Sequence, residues 1–193
     1  MARQREFSES DALEKATFAF WERGYDDTSY DDLVNATGVS RYGLYSAFGD
    51  KKEFFLKALD HYLEMNRDEM MGSLLNEDAS KQDLIDYFHR LEKHSNDPKK
   101  RVGCMLCNTA IEMAQYDPDA EERVKVIFAD LKKTFKRAAK NAIENGELSV
   151  DHNANQLADY LFGLMLGGAM LVRSPIERSK IRNYLETGLA VLK

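Results

Sequence analysis

Two short stretches of the chain hold side chains whose types and spacing could do chemistry. The first is Ser40-Arg41-Tyr42-Gly43, followed shortly by Lys51-Lys52. Arginine can bond a guanine edge in bidentate fashion or pair with a phosphate. Lysines at a helix start add charge to the phosphate grip of backbone N–H groups. The second is Cys104-x-x-Cys107, with Asn108, Thr109 and Glu112 close behind. Structural zinc needs four ligands, and His61, His89, His94 and His152 show no partner spacing to the cysteines. A thioredoxin-like role for such a pair needs a βαβ context, which the sequence lacks. No nucleophile–base pair or phosphate-cradling glycine loop stands out. Neither an enzyme, a metal site nor a cofactor is expected.

The elements that position these residues all read as helices. The chain has 193 residues, 44% of them hydrophobic and 31% charged, with three prolines, and strand-like alternation of β-branched residues is missing. An all-α fold of about nine helices follows. The first helix is expected over about Ser10–Arg23 and stops at Gly24. Thr28 or Ser29 caps a short second helix that turns Leu33 and Ala36 inward and ends at Gly38, a residue suited to a left-handed turn. Ser40 caps a third helix of about two turns. Asp50 and Glu53 form a capping box for a long fourth one, reaching about Leu75, with Phe54, Phe55, Leu59 and Tyr62 as apolar anchors. Later helices are expected over about Ser80–His94, Val102–Gln115, Asp117 to before Gly146 and Asn153–Arg173. A capping box at Ser174-Pro175-Ile176-Glu177 opens the last. The pattern divides into a small three-helix domain (1–50) and a larger helical domain (51–193).

The second helix, the Gly38 turn and the third helix have the dimensions of a helix-turn-helix, whose second helix presents its N-terminal side chains to the major groove. That places Ser40, Arg41, Tyr42 and Gly43 at base edges. A mid-helix glycine costs about 1 kcal/mol against alanine, a cost that close approach to a groove would explain. Thr28, Lys51 and Lys52 are placed to grip phosphates. Arg3 and Arg5, ahead of the first helix, are placed to reach a minor groove. The net charge is −6, and seven Lys/Arg against ten Asp/Glu leave −3 over residues 1–52. Such a balance excludes indiscriminate coating of nucleic acid and keeps open a module of this shape that has lost DNA binding.

The run RGYDDTSYDDLVNATGVS (23–40), then Leu44-Tyr45, then Phe48-Gly49-Asp50-Lys51 leading into FFLKAL (54–59), resembles the DNA-binding domain of the TetR family of bacterial transcriptional regulators. Ala47 departs from the pattern, which often has histidine before the phenylalanine. The resemblance implies a homodimer on a palindromic double-stranded operator and repression relieved by a small-molecule effector. It carries over Thr28, Tyr45 and Lys51 as phosphate contacts and makes Arg41 and Tyr42 the foremost base readers.

The same resemblance implies an effector pocket and a dimer surface in the larger domain. If the helix of residues 103–115 is central, Cys104, Asn108 and Glu112, with Thr109 beside them, line the pocket. Cys107, Ala110, Ile111 and Ala114 form its apolar opposite side. Tyr62, Tyr87, Met105 and Phe128 are the nearby candidates. Equally, Asn108 and Glu112 simply face water. The two cysteines read first as small packing residues. The alternative is a cysteine-based electrophile or redox sensor, since some regulators resembling this one place a reactive cysteine on this helix. The stretch 158–172, with Gly163, Gly167 and Gly168, joins Ile181, Tyr184, Leu185 and Leu189 in what resembles the family's four-helix dimer interface. Its apolar core is too short to span a bilayer, and the N-terminal MARQREF lacks the apolar run of an export signal. A cytoplasmic protein with no membrane partner is expected.

Overall fold

The computed structural model describes residues 7–96 and 101–193, so Arg3 and Arg5 lie outside the described residues. Among the described residues there are nine α-helices and no strand. The first four are α1 (Glu9–Arg23), α2 (Tyr30–Thr37), α3 (Arg41–Phe48) and α4 (Lys51–Met71). They are followed by α5 (Lys81–Asn96), α6 (Met105–Glu112), α7 (Pro118–Glu144), α8 (Ala154–Arg173) and α9 (Arg178–Leu189).

Local chemistry explains most of the boundaries. Ser29 caps α2 in a reciprocal box with Asp32, and Asp50 caps α4 in the same way with Glu53. Gly38 closes α2 at φ +73°, ψ +9°, the left-handed conformation that only a residue without Cβ adopts freely. Asp117 accepts from the N–H groups of Asp119 and Ala120 and starts α7, with Pro118 at its first position.

Four expectations are corrected. Ala36 is exposed, and Thr37 joins Leu33 in facing inward, because α2 meets its neighbours along one narrow stripe. The fourth helix ends at Met71, where Gly72 turns the chain into a 3₁₀ segment, Gly72–Leu75. The sixth is only eight residues long: Gly103 at φ +77° delays its start, and the chain leaves helical geometry after Glu112. The box at Ser174 does not form, since the Ser174 hydroxyl donates back to the Met170 carbonyl at 2.9 Å. Glu177 precedes α9 without a capping bond.

Two apolar cores result. One gathers Phe20, Trp21, Leu33, Leu44, Phe48, Phe54 and Phe55 from α1–α4 and extends to Met105 and Leu106 of α6 and Val124 of α7. Phe48 stacks on Phe54 at 4.2 Å, and Phe20 meets Phe55 edge-on at 5.1 Å. The other joins α5, α7, α8 and α9 around Phe88, Phe135, Leu161 and Ile181, each without exposed surface. The first core reaches past residue 50 through α4, so the helix-turn-helix and the larger bundle share buried contacts rather than a hinge.

Candidate nucleic-acid interface and internal cavity

The outer face of α3 is the most exposed aromatic surface near the N-terminus. Leu44 and Phe48 bury its inner side, while Tyr42 is 85% exposed and Tyr45 58% exposed. Arg41 stands at the first turn, its guanidinium 2.6 Å from Asp31 and 5.4 Å from the centre of the Tyr30 ring. Ser40 uses its hydroxyl oxygen to accept from the Gly43 N–H, which leaves its O–H proton free to donate.

Three of the other expected contacts are placed differently. Thr28 is fully buried, its hydroxyl donating to the Gly24 carbonyl at 2.6 Å, so its side chain is not an open phosphate donor here. Lys52 bridges Asp117 and Asp119 at 2.6 and 2.8 Å. Hydrogen bonding to Asp117, then to Asp119, holds its pKa above the ordinary lysine range. Its charge is spent on the start of α7. A Cβ on Gly43 would sit 3.0 Å from Val39 and 3.3 Å from Phe7, so packing inside the domain supplies a reason for that glycine. Lys51 donates to the Asp26 carbonyl at 3.3 Å and lies 4.4 Å over the Tyr25 ring, at the rim of the α3 face.

A cavity of about 970 Å³ lies between α4, α5, α6, α7 and α8, within the usual range for small-molecule sites. Of the residues named from the sequence, Tyr62, Tyr87, Cys104 and Phe128 line it, together with Cys107, Leu106, Trp21 and Met165. Met105, Asn108, Thr109 and Glu112 do not. Met105 faces the N-terminal core, and Thr109 bonds back to the Met105 carbonyl. Asn108 folds over the Val102 carbonyl. Glu112 leaves the bundle altogether and accepts from the Asp26 N–H at 2.7 Å. The expected apolar side is also displaced, since Ile111 is exposed while Cys107 is buried. The reason is that α6 is wedged between the two cores, so its faces do not sort into pocket and water.

Cys104 is the residue just before α6 and makes no complete capping bond. Hydrogen bonding from the Cys107 thiol lowers its pKa most. Burial opposes that shift, and the Cys107 and Leu106 amides and the Tyr62 hydroxyl reinforce it. The same contact to Cys104 and burial push Cys107 well above the ordinary thiol range. The two shifts run in opposite directions, Cys104 down and Cys107 up.

Two family models match this chain. One, described as bacterial regulatory proteins of the tetR family, covers residues 12–58. The other, a tetracyclin repressor-like C-terminal domain, covers residues 81–184. The chain belongs to the TetR family. It is accordingly a helix-turn-helix transcriptional regulator. It is 28% identical to the uncharacterized HTH-type regulator YezE of Bacillus subtilis (strain 168) over the whole of both chains. Its identity to the HTH-type transcriptional repressor ComR of Escherichia coli (strain K12) is 27%, over 97% of this chain and 90% of that one. Its fold superposes with a TM-score of 0.86 on a cysteine mutant of the TetR-family regulator CifR complexed with 26 bp operator DNA. That match has 22% identity and covers 97% of this chain and 98% of the other. A TetR regulator from Chloroflexus aurantiacus J-10-FL gives 0.83 at 24% identity, covering 94% and 91%.

In this TetR-family chain the two parts are joined by polar contacts that spacing did not reveal. The Trp21 indole donates to the Gly103 carbonyl at 2.8 Å, and Arg173 donates to the carbonyls of Val102 and Trp21 at 3.1 and 3.4 Å. With Glu112–Asp26 and Lys52–Asp117, they tie α1, the loop after it and the start of α4 to the segment around α6 and to the ends of α7 and α8. Only the three-dimensional arrangement pairs them, since the partners stand 65 to 152 positions apart.

The expected dimer residues divide in two. Ile181, Leu185, Leu189 and Gly168 are buried within the subunit: Ile181 and Leu185 sit in the α5–α8–α9 core, and a Cβ on Gly168 would meet Leu91 and Leu185. They are not surface in the single chain. Gly163 is open, Gly167 lies against Tyr184, and Tyr184 is partly exposed. Tyr160 and Met170 add exposed apolar surface to the same helix.

Proposed function

We propose that the chain is a homodimeric repressor that reads a palindromic operator through α3 and releases it when a small molecule fills the cavity. The observation that carries the reading is the exposed Arg41–Tyr42–Tyr45 face on a rigidly packed helix, set beside Lys51. Arg41 must exchange Asp31 for DNA. An exposed ion pair is worth about 1 kcal/mol or less, against about 1–3 kcal/mol for a bidentate base contact. The exchange favours DNA. With −3 over the first 52 residues, binding rests on a few placed contacts. Two half-sites on one side of the duplex require two copies of α3. The exposed Tyr160, Gly163, Met170 and Tyr184 on α8 and α9 suit a two-fold contact. The division of labour is a DNA-binding part up to residue 50 and a regulatory part from 51.

Selection from random duplex DNA by the purified protein tests this, run beside Arg41→Ala. The expected result is a palindromic site recovered by the parent and not by the variant. Folded parent protein that recovers no site at any salt concentration would instead mark a helical module that has lost DNA binding.

A further inference from the structure

We propose that the cavity takes an amphipathic anion, its apolar body inside the bundle and its charged head at a basic mouth formed by α4 and α7. This deepens the effector part of the proposed function and rests on it.

The charge on the cavity wall runs against the charge of the chain. The chain carries −6, yet five cationic side chains line the cavity: Arg67, Lys133, Lys136, Arg137 and Lys140. Only two carboxylates, Glu77 and Asp130, line it with them. The four cations of α7 lie three, four and seven positions along from Lys133, so they share one helix face. Arg67 of α4 and the three lysines are exposed, which marks where the cavity opens to water. Elsewhere the wall is buried and apolar, as at Met71, Leu91, Leu106 and Met165. A low-dielectric cleft rimmed by one sign of charge concentrates ligands of the other sign.

Most of this charge is not spent within the subunit. Arg67, Lys133 and Lys136 form no ion pair among the described residues, and neither does Asp130. Arg137 is the independent observation. Its Nη2 donates to the Leu74 and Leu75 carbonyls at 3.0 and 3.1 Å, which fixes the guanidinium at the wall. Its Nε is buried with no hydrogen-bond partner. Among the described residues its one carboxylate contact is Glu77 at 3.3 Å, a side chain 92% exposed, and such a pair is weak and screened. A buried donor without an acceptor is costly, and the oxygens of an anionic head would supply the acceptor. An uncharged ligand leaves these cations to water, and a cationic one meets like charge.

Trp21 makes the test direct, because it is the single tryptophan of the chain and lines the cavity. Its fluorescence is followed as the full-length protein, without DNA, is titrated with decanoate, decyl phosphate, decanol and decylamine below their micelle-forming concentrations. One of the two anions should bind about tenfold or more tightly than decanol, the advantage of one charge-assisted hydrogen bond. Decylamine should bind most weakly. The tighter anion separates a carboxylate source from a phosphate one. Added salt should shrink the lead of the anion and leave decanol unmoved. Arg67→Gln and Lys133→Gln should narrow that lead severalfold without changing decanol binding. Arg137→Gln should narrow it most, and the two exposed positions keep the result readable if that variant folds poorly. Equal binding of anion and alcohol, preference for the amine, insensitivity to salt, or equal losses for anion and alcohol in the variants would each overturn the proposal. A response to alcohol or amine alone overturns the anionic class and leaves the effector reading standing, whereas silence with all four ligands counts against both. No DNA is present, so failure to recover an operator leaves the proposal intact.

Discussion

Replacing Gly24 by alanine probes how the DNA-binding part is held. Gly24 ends α1 at φ +92°, ψ −179°, a region essentially reserved for glycine, and holding another residue there costs about 1–3 kcal/mol. A Cβ at this position would lie 2.7 and 2.8 Å from the two carboxylate oxygens of Glu112. Glu112 can swing away, but doing so abandons its 2.7 Å bond from the Asp26 N–H. Hydrogen bonds to a charged group are worth about 1.5 kcal/mol at the low end, the end that suits a solvent-facing site. Gly24→Ala should therefore cost the backbone strain plus up to about 1.5 kcal/mol. In a Glu112→Ala background only the strain remains. Urea unfolding of the parent, both single variants and the double variant gives the coupling directly. The double variant should be less destabilised than the sum of the singles. Additive costs, or a Gly24→Ala protein as stable as the parent, would refute the reasoning.

Three further outcomes follow from the packing and the charges. Phe135, without exposed surface and packed on Tyr87 and Phe88, should cost about 3–5 kcal/mol when cut to alanine, read by denaturant unfolding. The Lys52–Asp117 bridge lowers the Asp117 pKa and raises that of Lys52. The carboxylate's share of stability is thus present above the ordinary aspartate range and lost as pH falls through the lowered value. The stability difference between parent and Lys52→Met should accordingly shrink on acidification, followed by unfolding across pH. Gly167→Ala would place a Cβ beside the Tyr184 hydroxyl. The clash should outweigh the roughly 1 kcal/mol gain in helix propensity, and Tyr184→Phe in that background should recover part of the lost melting temperature.

Much of the fold was legible because it rests on local chemistry. Ser29, Gly38, Asp50 and Asp117 set helix ends through bonds that span only a few residues, and Phe54, Phe55, Leu59 and Tyr62 recur at helical spacing and are all buried. The motif around α2 and α3 was legible for the same reason. What spacing misread were faces touched by distant elements. Thr28 and Lys52 are polar and lie near helix starts, yet one is roofed by its own turn and the other is claimed by α7. Asn108 and Glu112 share an edge of α6 at i, i+4, but Asn108 turns back to the Val102 carbonyl and Glu112 meets the loop after α1, and neither lines the cavity. Ile181 and Leu185 form an apolar stripe that periodicity cannot assign to a partner copy or to the subunit's own α5 and α8. By itself, the sequence determined the helices, most of their caps and the helix-turn-helix, because those depend on neighbours along the chain. Only the tertiary structure decided which buried faces became cavity, junction or core, because burial is decided by whichever element packs closest.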